Sequence, residues 1–213
     1  MQHYQVLSAL LLYPDQEWLN ALPELETALA ADPVMAAEVQ PLFRFLEQHD
    51  LIELQENYVA TFDRNPRHSL HMFEHIHGES RDRGPAMVDL LEEYRKHGYD
   101  VTAEELPDYV PMFLEFLSQV SAEEAERLLG DAIHVLALVG DKLEANGSPY
   151  SHVFTVLRSL TTVEPRPLAE PPIRDMDEAM EVFGPSPDGV EPLLKPQTQT
   201  VKFYPKGTAP ARV

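Results

Sequence analysis

The run His71-Met-Phe-Glu-His75 places two imidazoles and a carboxylate in the order H-x-x-E-H. In zinc peptidases of the inverted type, two such histidines one helical turn apart bind the metal and the glutamate activates a water. The pattern needs a third ligand downstream. Glu144 is one of many glutamates that could be nominated, and an α/β scaffold of the usual kind is not in view. No catalytic residue and no metal ligand set is assigned on this motif, and the zinc peptidase is kept as the alternative reading. Four histidines, His68, His71, His75 and His77, fall within ten residues. An unperturbed imidazole changes charge close to neutral pH, so a pH-dependent role in partner binding is a second possible chemistry.

The same histidines open a denser polar stretch, Glu74 to Leu91, reading EHIHGESRDRGPAMVDLL. Glu74, His75, His77, Glu79, Arg81, Asp82 and Arg83 crowd around Gly78 and Gly84, a mixture that is costly to desolvate unless its members pair. Arg81 and Arg83 beside Glu79 and Asp82 are expected to form ion pairs that hold the loop before Pro85. Neither G-x-x-x-x-G-K-[ST] nor G-x-G-x-x-G occurs, so nothing in the sequence points to a nucleotide. There is no G-x-S-x-G nucleophile elbow either. The expectation is a protein that is not an enzyme and carries no cofactor of its own.

The elements that must position these residues read as helices. Periodic apolar spacing recurs along residues 1–160, whereas alternating strand patterns do not. Helices are predicted near 2–13, 15–31, 33–49, 51–63, 85–97, 105–119, 121–146 and 149–160. Asp32-Pro33 and Ser148-Pro149 read as caps followed by first-turn prolines, Thr102…Glu105 and Ser121…Glu124 have capping-box spacing, and Gly98 and Gly147 fall at C-caps. The segment Leu106 to Val120 is apolar nearly all round. One stripe carries Leu106, Val110, Phe113, Leu114 and Leu117, and a second carries Tyr109, Met112 and Phe116. Either it is a central buried helix, or its second stripe floors a groove for a partner's helix.

Composition breaks near residue 161. Ten of the 19 prolines lie in the last 53 residues, where EPRPLAEPP and GPSPDG cannot sustain helices. The fold class expected is therefore all-α, a single-domain helical bundle over 1–160 with a Pro-rich, largely irregular tail over 161–213. The tail holds 8 acidic and 6 basic side chains, so all but −2 of the net charge of −20 belongs to the body. That acidity opposes phosphate backbones and favours a basic protein or peptide partner, and nucleic acid is excluded as a partner. Six of the body's ten Lys and Arg lie between 64 and 96, leaving the other helices strongly acidic. With no cysteine, disulfides, thiolate nucleophiles and cysteine-ligated clusters are ruled out. No basic leader precedes the first apolar segment and no apolar run approaches the roughly 18 residues of a bilayer span. A cytoplasmic protein without direct membrane insertion is expected.

Leu11-Leu-Tyr-Pro-Asp15, Tyr58…Phe62-Asp-Arg64, Phe73-Glu-His-Ile-His-Gly-Glu-Ser-Arg-Asp-Arg-Gly84 with Ala86-Met-Val-Asp-Leu-Leu91, and Glu105-Leu-Pro-Asp108 leading to Leu114-Glu-Phe-Leu117 together carry a resemblance. The chain resembles the maturation chaperones of molybdenum oxidoreductases, in particular those that assemble membrane-bound respiratory nitrate reductase. The match runs through most of 1–160 and is weak in the tail, through Val201-Lys-Phe203. It implies an all-helical chaperone that binds the immature catalytic subunit of nitrate reductase, partly through that subunit's N-terminal segment, until its molybdenum cofactor and iron–sulfur centre are installed. The family does not use His71 and His75 as a zinc site. On this footing a basic amphipathic client helix is expected to lie on Tyr109, Met112 and Phe116, with Glu104, Glu105, Asp108 and Glu115 steering its cations. The tail patch Lys202-Phe-Tyr204 is expected to occupy the same groove when no client is bound. A generic helical adaptor is the remaining alternative.

Overall fold

The computed structural model describes residues 2–78, 80–101 and 105–168, and its body is all-helical as expected. Among these residues there are nine α-helices: α1 Gln2–Leu10, α2 Gln16–Leu29, α3 Pro33–Gln48, α4 Leu51–Tyr58, α5 Met72–His77, α6 Arg83–Lys96, α7 Val110–Gln119, α8 Ala122–Ala145 and α9 Ser151–Ser159. The sole strand-like feature described is an isolated antiparallel bridge between His71 and Tyr109. α4 runs on into a π-helical turn, Val59–Asp63, and a 3₁₀ turn follows at Pro66–His68.

Most ends are set by the residues expected to set them. Asp32 accepts from Val34 N and Met35 N, and Ser121 accepts from Glu124 N. Gly98 and Gly147, at φ +85° and +68°, take the left-handed turns that end α6 and α8. Two more caps had not been anticipated: Asp15 holds Trp18 N, and Asp50 with Glu53 forms a full capping box on α4. Three expectations fail locally. α9 begins at Ser151 rather than at Ser148-Pro149, and Ser148 Oγ is left buried without a partner. α7 begins at Val110, not near 105, since Pro107 and the bridge at Tyr109 hold the preceding residues out of the helix. The short helix α5 has no counterpart in the prediction.

α7 is the central helix. Six of its ten residues are buried, while Glu115 and Gln119 lie exposed on the remaining face. α1 packs along it, fixed by Ser8 Oγ donating to Pro111 O at 2.6 Å. α8 contributes the longest buried stripe and packs closely on α9, with a β-carbon added at Gly140 falling 2.6 Å from Phe154 Cβ. The absence of a side chain there lets the two helix backbones approach. Beyond α9 the chain stays on the body at least to Leu168. Val163 seats on Gly130, Arg166 N donates to His134 Nδ1, and Leu168 packs against the core. The Lys202-Phe-Tyr204 patch lies outside the described residues.

Candidate functional site

Three motif segments meet at the start of α5. Asp108 is fully buried, with Oδ2 accepting from Phe73 N at 2.9 Å and Oδ1 lying 3.3 Å from His71 Nδ1. Its carboxylate therefore caps a helix that begins 36 residues earlier in the chain, and its backbone joins in, since Asp108 O accepts from Met72 N and Leu70 O from Val110 N. Hydrogen bonding to Asp108 raises the His71 pKa, against the opposing effect of burial. Tyr109 packs on the His71 ring and meets the Tyr58 hydroxyl at 3.3 Å, while Tyr58 donates to Leu11 O. Burial raises the phenol pKa values of both tyrosines.

The other histidines are structural by geometry. His75 Nε2 lies 2.8 Å from Ser69 O, which makes it the donor and Nδ1 the unprotonated nitrogen. His68 spans Thr61 O, 3.1 Å from Nδ1, and Asn146 Nδ2, 2.8 Å from Nε2. Burial lowers both pKa values, and each imidazole is neutral near pH 7. His71 precedes α5 in an extended conformation and turns to Asp108, while His75 points into the core. The two do not converge as an H-x-x-E-H metal pair would require.

The polar stretch separates into independent parts. Glu74 pairs with Arg83 at 3.3 Å, linking α5 to α6, and His77 packs edge-on against Phe73. Arg81 and Asp82 are exposed, with Asp82 bonded to Ser80 Oγ. Glu79 lies outside the described residues. Among the described residues, Arg83 pairs with Glu74 rather than with Asp82.

The predicted client surface is corrected in its parts. Asp108 cannot steer a client cation because it is buried and engaged. Phe116 cannot floor an open groove, since it is covered by the rings of Tyr94, His97 and Tyr99 at centroid distances of 4.6, 5.6 and 5.8 Å. Tyr109 and Met112 are half-buried, Glu105 and Glu115 exposed, and Glu104 lies outside the described residues. With α7 starting at Val110, Glu105 and Tyr109 do not share a helical face with Met112.

A groove does exist, one helix face away. It measures about 400 Å³ and lies between α5, α6, α7 and α8. Met72, Phe113, Leu128 and Val135 form its buried floor, and Phe73, Ile76 and Leu90 form its walls. Its rim carries Asp89, Glu93 and Asp131 with Arg127. An apolar trough with an acidic rim suits a basic amphipathic helix. Sequence reading missed it because Met72, Phe73 and Ile76 sit among charged residues, and only their i, i+1, i+4 spacing signalled a helix.

Comparison with known proteins places the architecture. The family model described as "Nitrate reductase delta subunit" matches residues 15–156. The chain belongs to that family. It is 37% identical to the nitrate reductase molybdenum cofactor assembly chaperone NarJ of Escherichia coli strain K12, over 93% of this chain and 84% of the relative. It is 32% identical to a protein named as a probable nitrate reductase molybdenum cofactor assembly chaperone NarJ in Bacillus subtilis strain 168, over 72% of this chain and 85% of the relative. A crystal structure from Archaeoglobus fulgidus, described as a redox enzyme maturation protein, superposes with a TM-score of 0.57 at 22% identity, covering 74% of this chain and 91% of that one. This last likeness bears on the fold alone. The family and its chaperone members agree with the resemblance read from the motifs.

Proposed function

We propose that this protein is an assembly chaperone for a respiratory nitrate reductase. It holds the immature catalytic subunit, through that subunit's N-terminal segment among other contacts, until the molybdenum cofactor is inserted. The observation that carries the reading is the apolar groove with its acidic rim, in a chain of a family whose curated relatives are named as molybdenum cofactor assembly chaperones. Its volume falls within the roughly 300–1,000 Å³ typical of ligand sites. The client segment would enter as a basic amphipathic helix, its i, i+3, i+4 and i+7 apolar side chains on Phe73, Ile76, Phe113 and Leu128. Its Lys and Arg would face Asp89, Glu93 and Asp131, and the net charge of −20 would speed their encounter. No helix among the described residues is long and apolar enough to cross a membrane, and the cytoplasm, where the client is still unassembled, is the proposed compartment.

The test is calorimetric titration of the full chain with a synthetic peptide from the N-terminus of its own catalytic subunit, against a scrambled control. Ile76 is exposed enough to change without unfolding the protein. Ile76→Glu should weaken the native peptide by about tenfold or more, roughly the effect of losing one well-buried anchor. Affinity for the native peptide should also fall with added salt, as screening shortens to roughly 8 Å at physiological ionic strength. Equal binding by the variant would move the site off this groove, and equal binding of the scrambled peptide would remove the chaperone's selectivity for that segment.

A further inference from the structure

α6 is the least anchored wall of the groove. Of its fourteen residues only Tyr94 is buried, and its side-chain ties to the body are few. Arg83 meets Glu74 at one end, and Tyr94 donates to Pro107 O at the other, at 2.7 Å. An element with so little buried apolar contact opens at low free-energy cost. Between these ties a single guanidinium spans the mouth of the groove. Arg127 of α8 donates to Glu93 of α6 at 2.7 Å, to Glu124 at 2.6 Å and to Asp131 at 3.2 Å. Glu93 also receives Lys96, and His97 lies 3.5 Å from Glu124.

We propose that Arg127 is a latch and a stand-in: it holds α6 against α8 while the groove is empty, and a Lys or Arg of the entering client helix replaces it at Glu93 and Glu124. The client half of this inference rests on the groove reading above. Glu93, His97 and Glu124 bring ligand atoms within 4.8 Å of one another, and the cation found among them is the guanidinium itself. Arg127 is half-exposed, so it can swing into water without stranding a buried charge. Its departure leaves Glu93, Glu124 and Asp131 facing the incoming cation, with Lys96 beside Glu93, His97 beside Glu124, and His134 and Arg166 lining the same cavity as Asp131. The client's positive charge is then required to close the site it has entered, which makes Arg127 a determinant of specificity for basic segments.

Two measurements on the full chain test this, using wild type and Arg127→Gln. In the unliganded protein, hydrogen exchange of α6 amides should quicken by about two- to fivefold in the variant, the range an exposed ion pair supports, with α1–α4 unchanged. Titration with the catalytic subunit's N-terminal peptide at low salt should show binding tightened by about the same factor. A version of that peptide with every Lys and Arg replaced by Gln should bind wild type more weakly than the basic peptide, because it brings no cation to replace Arg127. Unchanged α6 exchange would overturn the latch whatever the peptide does. Faster exchange with weaker binding of the basic peptide would overturn the stand-in role, because Arg127 would then be touching the client. If wild type bound neither peptide, the groove reading and the client half would fall together, and α6 exchange alone would decide the latch.

Discussion

Replacing Asp108 by alanine is expected to destabilise the protein by about 3 kcal/mol. The carboxylate is fully buried, and both of its oxygens are in use. The bond from Phe73 N, at 2.9 Å, is of the charge-assisted kind that contributes about 1.5–3 kcal/mol, whereas the 3.3 Å contact with His71 is long and counts at the lower end. Alanine leaves Phe73 N–H without its acceptor at the first turn of α5 but also removes the cost of burying a charge, which keeps the total near 3 rather than 5 kcal/mol. His71→Ala should cost about 1 kcal/mol or less, because that ring is partly exposed and can turn to water. The double variant should lose less than the two singles together, since both remove the same contact. Urea unfolding followed by circular dichroism, extrapolated linearly, measures all three. A loss below about 1 kcal/mol for Asp108→Ala would show that this buried carboxylate does not hold the α5 junction.

Stability should fall as pH drops below about 6.5, the value of a histidine in the unfolded chain. Burial lowers the pKa of His3, His68 and His75 in the folded state, so below that pH the unfolded chain binds protons that the fold resists, at up to about 1.4 kcal/mol per pH unit for each. His71 acts oppositely: its raised pKa gives stability that is present in acid and lost as pH rises through the folded value, so it works against the other three. Unfolding curves from pH 7.5 to 5.5 that show stability rising toward acid would refute this balance. Gly140→Ala should cost about 1–2 kcal/mol in the same assay, because the new methyl meets Phe154 Cβ at 2.6 Å and outweighs the gain in helix propensity. A more stable variant would mean that α9 can shift freely along α8.

The long helices were readable because each repeats its apolar spacing over several turns and is closed by a chemically explicit cap, as with Asp32 and Gly98. α5 and the start of α7 were not, for different physical reasons. A six-residue helix has barely more than one turn of pattern, and α5 is capped by a partner remote in sequence, Asp108, which no local window contains. Leu106 to Tyr109 fit a helical period but are claimed by the bridge to His71, a tertiary contact that outweighs local preference. Once α7 loses its first turn, the stripe of Tyr109, Met112 and Phe116 no longer forms one face. The groove moves to where Phe113 meets α5, α6 and α8. The tail boundary near 161 followed proline content, yet Val163, Arg166 and Leu168 show that proline-rich chain can still lie against a helix it does not extend.

The polar motif and the apolar groove are two sides of α5. A helix this short cannot sustain itself in water, so its ends and back must be held. Asp108 caps its start, His75 reaches Ser69 O behind it, Gly78 turns the chain at φ +54°, and Glu74 with Arg83 hands it on to α6. What this scaffold presents forward is Phe73 and Ile76, the walls of the groove. Charged and imidazole side chains would then serve an apolar recognition surface by positioning it, without touching the client. The arrangement separates two kinds of variant. Asp108→Ala should lower stability and weaken client binding together, because α5 loses its place. Ile76→Glu should weaken binding while leaving stability nearly unchanged, because only the surface is altered. Were Asp108→Ala to lose stability yet keep full affinity, α5 would not be the element that carries the site, and recognition would have to be sought on the exposed faces of Tyr13 and Tyr109 instead.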